Sequence, residues 1–307
     1  MKRKNQLYKK ICDISIIMDM YDKNIRKNTK NKKKIQRFEH FYSCNMAKIK
    51  EMLITKSYQM GKYNIFMVHE PKARIIMSQD IEDKIVNHLV AKYFLIDVFE
   101  KSLSNRNCAT RINKGTHYAL RLFKQDYNRY LNKYGEFYIL KLDISKYFYN
   151  LDHDIIKKQV RSKIKDKDVL LYTKGKGVCI GNMVSQIIAT FYLDEVDKYI
   201  QNELKIKAYG RYMDDFYCMH KDKHYLKECL EKIKTLVEKL QLQLNDKTKR
   251  NFKKKMKKMK IELENSDIKA IDYLQVRNSY RGHLSYGDCY YLYNKWAISD
   301  DILESFR

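Results

Sequence analysis

The chain has 307 residues, and its 44% hydrophobic content excludes a disordered protein and allows one large or two modest domains. Its 63 lysines and arginines against 37 aspartates and glutamates give a net charge of +26. This charge indicates a polyanionic partner, most simply nucleic acid, with an anionic membrane surface as the alternative. The sequence contains no signal peptide, no long apolar span and no zinc-type cysteine spacing. We therefore expect a soluble, cytoplasmic protein with reduced thiols and no membrane partner.

An α+β fold is predicted, because helices and hairpins alternate along the chain without repeats or flexible linkers. Residues 1–36 are polar and basic, which predicts an N-terminal arm that is either solvated or in contact with phosphate. The predicted elements then follow in this order: a helix over 37–60, strands over 63–68 and 73–77, a helix capped by Asp80 with its apolar face at Ile81, Ile85, Leu89 and Phe94, a loop over 105–116, and a helix over about 117–133.

The second half of the chain begins with an apolar strand over 137–144, which is predicted to be buried. The next predicted elements are a helix near 153–165, a loop containing Gly175, Gly177 and Gly181, a long helix over about 184–204, a hairpin over 207–219, a helix over about 223–240 and a strand near 241–244. A lysine-rich run over 250–260, short strands around 270–285 and a last helix from about 288 complete the chain.

The hairpin carries two adjacent carboxylates, Asp214 and Asp215, between strands rich in aromatic residues. Two acids at a tight turn repel each other and stay ionised most easily when cations lie on them. Mg²⁺ suits this role, because it takes carboxylate oxygens together with substrate phosphates. The alternative interpretation is an ordinary solvated turn.

Asp143 ends the apolar strand, where a bare carboxylate is costly unless it is paired or bound to a metal. The alternative is an aspartate that caps the following turn. One carboxylate on a strand and two on a hairpin are the set that a two-metal phosphoryl-transfer site requires. The sequence therefore predicts two Mg²⁺ ions, for which Mn²⁺ can substitute. Phe148, close behind Asp143, is interpreted as packing against a sugar or as an ordinary core residue.

Seven segments, in order, resemble the motifs of reverse transcriptases. They are Phe66–Ile76, the helix 80–95, Asn107–His117, Leu142–Phe148, Gly177–Gln186, Tyr212–Asp215 and Leu244–Lys249. The resemblance covers roughly residues 63–250 and implies a right-hand polymerase fold. After the basic arm at 1–36, it implies fingers over 37–136, a palm over 137–250 and a short thumb over 251–307. The implied activity is RNA-directed DNA polymerase, with template RNA, a primer or cDNA, and dNTPs as partners.

The resemblance also implies roles for individual residues. The catalytic carboxylates and metal ligands are Asp143, Asp214 and Asp215, with Asp143 and Asp214 as the more direct ligands and the Ile144 carbonyl as a further one. The nucleotide-binding residues are Lys72 and Arg74 at the triphosphate, Phe148 against a 2′ hydroxyl, and Ile180, Gly181 and Gln186 at the nascent base pair. Tyr212 and Met213 contact the primer, and Lys247 is a general acid near the pyrophosphate. Outside the motifs, Lys72 and Lys247 would be interpreted as solvated surface residues.

The second palm motif, Gly177–Gln186, indicates which group of reverse transcriptases the chain resembles most. Where many relatives carry Gln-Gly and end in Ser-Pro, this chain carries Ile180-Gly181 and ends in Ser185-Gln186. This departure and the string Asn278–Gly287 are similar to the enzymes of diversity-generating retroelements, which are bacterial or phage-encoded. That group implies error-prone copying (mutagenic retrohoming), a structured RNA and a small basic accessory protein. The alternatives are a phage-defence (antiviral) reverse transcriptase, a retron-like enzyme and a catalytically idle RNA-binding scaffold.

Overall fold

A computed structural model describes residues 7–69, 74–165 and 175–245. Its helices are α1 (Tyr8–Ile11), α2 (Ile14–Met20), α3 (Lys32–His40), α4 (Tyr42–Ile54), α5 (Ile81–Val90), α6 (Asp97–Phe99), α7 (Thr116–Tyr134), α8 (Tyr147–Asn150), α9 (His153–Lys163), α10 (Met183–Tyr192), α11 (Asp194–Lys198) and α12 (Lys223–Lys239). Its strands are β1 (Asn64–Val68), β2 (Arg74–Ser78), β3 (Tyr138–Leu142), β4 (Tyr209–Tyr212) and β5 (Asp215–His220). The α+β prediction is confirmed, whereas the predicted thumb and the lysine run over 250–260 lie outside the described residues.

In the described part of the chain, three π-helical turns lengthen the helices that they follow. Tyr21–Arg26 extends α2, Ala91–Ile96 joins α5 to α6, and Tyr199–Glu203 extends α11. The long helix predicted over 184–204 is therefore a chain of shorter segments. Within the described ranges, none of the helices has the length and apolar character needed to cross a membrane.

The N-terminal segment is folded, and the prediction of a solvated arm was wrong for residues 7–36. Five apolar side chains in this segment are at most 2% exposed: Ile11, Ile17, Met20, Tyr21 and Ile25. Helix α2 packs on α4 and α5, so the segment belongs to the main core. The apolar residues recur at helical spacing, and the lysines and asparagines between them occupy the outer faces. The prediction of a solvated arm considered the net charge of this segment and overlooked the helical spacing of its apolar residues.

The predicted fingers region contains a two-stranded antiparallel hairpin, in which Val68 of β1 pairs with Arg74 of β2. Residues 70–73, which include Lys72, lie outside the described part of the chain. The predicted apolar face of the following helix is confirmed, since its residues are at most 3% exposed: Ile81, Ile85, Leu89 and Phe94. Asp80 stands at the start of α5, but its side chain does not cap the helix. Instead, its Oδ1 accepts hydrogen bonds from Lys34 Nζ at 2.7 Å and Asn64 Nδ2 at 3.2 Å.

The sheet in the predicted palm region, called the palm sheet below, is antiparallel and has the order β3-β5-β4. One face, which includes Leu142 and Phe216, packs into the main core. The other face, which includes Met219, packs under α7 in a second cluster. Because side chains alternate along a strand, Asp143 and Asp215 are on the same side as Met219. The sheet therefore separates the main core from the face that carries these two carboxylates.

Candidate active site

Strands β4 and β5 are joined by a two-residue turn, Met213–Asp214, with Tyr212 paired to Asp215. Met213 has a φ of 57°, which is uncommon for a residue with a side chain. Its side chain is only 8% exposed, and its Sδ accepts a hydrogen bond from Thr190 Oγ1 at 3.5 Å. A contact between Met213 and a primer would therefore involve little of its side chain. The buried methionine ties the turn to helix α10.

The structure brings the three predicted catalytic carboxylates to one end of the palm sheet. Leu142 of β3 pairs with Phe216 of the antiparallel strand β5. Asp143, one residue after Leu142, and Asp215, one residue before Phe216, therefore lie next to each other at the same end of the sheet. Asp214 occupies the turn immediately before Asp215. All three side chains are partly exposed at this edge. Lys141 on β3 places its Nζ 3.7 Å from Asp215 Oδ1, which balances part of the negative charge there.

Asn245 is a site residue to which the sequence analysis gave no role. Its Nδ2 donates to Asp143 Oδ2 at 2.9 Å, and its backbone N–H donates to the Asp143 carbonyl at 2.8 Å. The strand predicted near 241–244 is reduced to a single antiparallel bridge, Ile144 to Leu244. Asn245 thus fixes the Asp143 carboxylate, while neither of its bonds uses the Ile144 carbonyl that was predicted as a metal ligand. Lys247, two residues further on, lies outside the described residues.

The segment 175–182 connects the predicted palm region to β2 of the predicted fingers region. The Val178 N–H donates to the Phe148 carbonyl at 2.8 Å, and the Ile180 carbonyl accepts from the Met77 N–H of β2 at 2.9 Å. The segment therefore joins the predicted sugar-contacting residue to the strand that begins with Arg74. Phe148 itself is partly buried against the core and packs edge-on against Tyr147, with 5.7 Å between the ring centroids.

Gly181 is required by its backbone conformation and by its neighbour. Its φ is 121°, and a Cβ at this position would lie 3.0 Å from the Met77 carbonyl oxygen. The Ile180 side chain is half-buried beside it, whereas Gln186 is exposed. Helix α10 begins at Met183, so Gln186 is in its first turn, where its N–H donates to the Asn182 carbonyl at 3.4 Å. The predicted base-pair residues thus lie on or beside the connection between palm and fingers.

Burial sets the protonation of the tyrosine beneath this site. Tyr147 is 2% exposed and donates from its hydroxyl to the Ala189 carbonyl at 2.5 Å. Burial raises the pKa of Tyr147 well above its usual range, while the nearby Arg211 charge lowers it less strongly and the Asp214 charge raises it. Tyr147 is therefore a neutral hydrogen-bond donor at the base of the site, and it adds no negative charge to the carboxylates.

The carboxylates suit a metal site that is completed by the substrate. Among the described residues, no group of three or more His, Cys, Asp or Glu side chains could hold a metal ion by itself. Mg²⁺ usually binds through one or two carboxylates together with water and substrate phosphates. Asp143 and Asp215 at adjacent strand ends, with Asp214 in the turn, provide hard oxygen ligands of this kind. The donor set fits Mg²⁺ or Mn²⁺, provided that nucleotide phosphates supply the remaining ligands.

Comparison with known families decides the class. The family model for reverse transcriptase (RNA-dependent DNA polymerase) matches residues 60–263, which is more than half of the chain. The chain belongs to the reverse transcriptase family. The matched domain is that of an RNA-directed DNA polymerase, as the motif order predicted. Reverse transcriptase domains generally use divalent metal ions and bind template RNA.

Two telomerase structures are similar to this reverse transcriptase. The telomerase of Candida albicans, in complex with a TWJ fragment of telomeric RNA, is 12% identical with a TM-score of 0.44, covering 63% of this chain and 43% of that one. The apo telomerase of Candida tropicalis, truncated from its C-terminal domain, is 14% identical with a TM-score of 0.43, covering 57% and 46%. This chain spans less than half the length of either. No curated protein sequence matches it.

Replacing Asn245 by alanine is expected to slow nucleotide addition by this reverse transcriptase about tenfold, the usual scale for a residue that orients a metal ligand. The substitution removes the donor at 2.9 Å from Asp143 Oδ2, so the orientation of that carboxylate is less tightly fixed. Single-turnover extension measures the effect. The control is Asn45→Ala, which removes a similar 3.0 Å bond to the Phe38 carbonyl within the fingers. Equal rates for Asn245→Ala and the wild type would contradict the orienting role.

Proposed function

We propose that this reverse transcriptase makes cDNA on an RNA template by two-metal nucleotidyl transfer. The observation that carries the proposal is the convergence of Asp143, Asp214 and Asp215 at one end of the palm sheet, with Asn245 bound to Asp143. Two Mg²⁺ ions, or Mn²⁺ in their place, would be held by these aspartates and the Ile144 carbonyl. When bound, the metals activate the 3′ hydroxyl and neutralise charge on the phosphate and pyrophosphate.

The remaining residues bind and orient the substrates in this proposal. Arg74 and Lys72 hold the triphosphate, and Phe148 excludes a 2′ hydroxyl. The segment 175–182 supports these roles, because its hydrogen bonds connect Phe148 to β2, the strand that begins with Arg74. Tyr212 contacts the primer end, where its partly exposed ring offers more surface than Met213 does. Lys247 donates a proton to the leaving pyrophosphate.

A primer-extension assay on a defined RNA tests the proposal. We expect dNTP incorporation that requires Mg²⁺ and stops when the metal is chelated. A catalytically idle scaffold would bind the same RNA without extending the primer, so RNA binding is measured in parallel. Binding without any extension, in the presence of either Mg²⁺ or Mn²⁺, would overturn the assignment.

We further propose that the enzyme copies inaccurately and belongs to a diversity-generating retroelement. Support comes from Ile180, whose carbonyl is fixed to Met77 at 2.9 Å and whose half-buried side chain cannot donate a hydrogen bond. A polymerase discriminates through a closely fitting, hydrogen-bonded pocket around the correct base pair. An isoleucine where relatives carry glutamine is expected to weaken that discrimination. A structured RNA and a small basic accessory protein are the partners that this proposal implies.

Replacing Ile180 by glutamine is expected to improve fidelity, because the side chain regains a polar contact to the nucleotide or the template. One such contact changes discrimination by roughly 1–3 kcal/mol, or about 5- to 150-fold. Sequenced extension products on a defined RNA give the error spectrum, and the resemblance adds that wild-type errors concentrate opposite template adenines. The control is Val178→Gln, another half-buried apolar residue of the same segment. The pocket argument fails if the wild type is as accurate as conventional reverse transcriptases, or if Ile180→Gln leaves the spectrum unchanged.

The sequenced extension products also distinguish a role in diversification from a role in phage defence. Diversification predicts DNA that is complementary to the supplied template with clustered substitutions. A defence enzyme that makes untemplated or repetitive DNA would yield sequences without such complementarity.

A further inference from the structure

A fully buried ion pair lies directly behind the catalytic turn. The side chains of Arg211 on β4 and Asp197 on α11 are both 0% exposed. The guanidinium binds the carboxylate at two points, Nε to Oδ1 at 2.6 Å and the second terminal nitrogen to Oδ2 at 2.7 Å. The Tyr209 hydroxyl donates to the same carboxylate. Asp197 is thus fully engaged and holds the guanidinium in one orientation.

The other donors of Arg211 reach the turn itself. Its Nη1 donates to the Met213 carbonyl at 2.8 Å, and its Nη2 donates to the Thr190 carbonyl of α10 at 2.8 Å. The backbone of Arg211 is also fixed, because its N–H donates to the Arg106 carbonyl and its own carbonyl accepts from the Cys108 N–H, both at 2.9 Å. The Arg211 side chain therefore connects the turn to helices α10 and α11. Its backbone bonds fix the position of β4 against residues 106–108.

Stability alone does not explain such a pair. A buried ion pair must be desolvated, and well-packed apolar residues of similar volume often give equal or greater stability. What a guanidinium supplies is a planar set of donors that can bind a carboxylate at two points and still reach two carbonyls. A lysine at 211 would keep the charge but could not make all four contacts. Arginine therefore differs from lysine at this position in the number and arrangement of its donors, and not in its charge.

The turn needs an external support. Met213 has a φ of 57°, a conformation that persists in a residue with a side chain only when its surroundings hold it. Asp214 and Asp215 follow it and repel each other, which favours relaxation of the turn. Arg211 opposes this relaxation, because its Nη1 donates to the Met213 carbonyl at the start of the turn.

We propose that Arg211 and Asp197 are positioning residues that fix the Met213–Asp214 turn, so that Asp214 and Asp215 meet the metal ions in one orientation. The inference rests on the proposed metal role of these carboxylates. Neither member of the pair can touch the substrate, because both side chains are fully buried. Their effect is on metal affinity, and RNA affinity is left unchanged.

The test compares Arg211→Lys with the wild type in the full chain. Two readouts report the metal site: Mn²⁺ binding measured by electron paramagnetic resonance, and the Mg²⁺ concentration that gives half-maximal primer extension. We expect both midpoints to rise about tenfold or more, as for the loss of a residue that orients metal ligands. RNA binding is expected to stay at the wild-type level. Thermal melting confirms that the variant folds.

The matched control is Asp194→Asn, on the same helix as Asp197. Asp194 is also buried and paired, with its Oδ2 at 2.5 Å from Lys198 Nζ, but its carboxylate accepts from Lys198 and Ser102, whereas that of Asp197 binds Arg211. We expect it to lower Tm while both metal midpoints remain at wild-type values. Asp197→Asn is expected to lower Tm and also to raise the midpoints, because the guanidinium loses its anchor. If Arg211→Lys does not melt cooperatively, the comparison of these two asparagine variants decides the question.

Asp214→Ala separates the two proposals. If Asp214→Ala still extends primers, the metal role fails and the positioning role fails with it. If Asp214→Ala is inactive and the midpoints of folded Arg211→Lys are those of the wild type, only the positioning role is overturned. Equal midpoints for Asp197→Asn and Asp194→Asn would overturn it in the same way.

Discussion

Replacing Asp214 or Asp143 by alanine is expected to abolish DNA synthesis, while RNA binding persists. Each substitution removes a carboxylate from the end of the palm sheet where the metal ions are proposed to bind. Metal ions contribute several kcal/mol of transition-state stabilisation, so we expect the rate of nucleotide addition to fall about 10³-fold or more. RNA binding depends on the distributed charge of +26 and loses none of its cations.

Rapid-quench extension and filter binding, run in parallel, measure the two effects. The control is Asp222→Ala, at the other end of the same hairpin, where Asp222 Oδ1 accepts from the His224 N–H at 2.7 Å and caps α12. Loss of this cap is expected to cost about 1 kcal/mol of stability and to leave synthesis intact. Near-normal extension by Asp214→Ala would exclude the metal assignment.

The affinity of the protein for RNA is expected to depend strongly on the salt concentration. Affinity for RNA is expected to fall about 10³-fold or more between about 50 and 200 mM salt, because each phosphate contact releases counterions. Helix α7 shows how the structure presents positive charge. Its exposed residues include Arg121, Lys124 and Lys133, whereas its single acid, Asp126, is 2% exposed and paired with Arg106 and Arg129. The surface of this helix therefore displays cations and no carboxylate.

Two neutralised variants locate the phosphate contacts. One replaces Arg121, Lys124 and Lys133 by glutamine, and the other replaces the lysines of the run over 251–260. Each phosphate contact that is lost is expected to lower the slope of log affinity against log salt by about 1. A wild-type slope in both variants would move the contacts to other parts of the chain, such as the basic residues of 22–36.

The sequence predicted local elements and motif positions well, because both depend on short-range patterns. Strands β1, β2 and β3, and the buried face of α5, lie within a few residues of their predicted positions. The order of the motifs predicted that Asp143 and the Asp214–Asp215 pair belong to one site, and the antiparallel pairing of β3 with β5 places them at the same sheet end.

The contacts that hold the site were not predictable from the sequence. Asn245 meets Asp143 from 102 positions away, and Arg211 reaches back 21 positions to the Thr190 carbonyl. Neither contact has a local period, and polar residues at such positions are usually solvated. The N-terminal helices were missed for a different reason. Their apolar residues do have helical spacing, but the surrounding lysines dominated the interpretation.

RNA-directed synthesis at this site is tested by sequencing the DNA that the purified chain makes on a heteropolymeric RNA of known sequence. We expect Mg²⁺-dependent DNA that is complementary to that RNA, and no such product from Asp214→Ala. DNA unrelated to the template, or equal products from the wild type and Asp214→Ala, would contradict RNA-directed synthesis at this site.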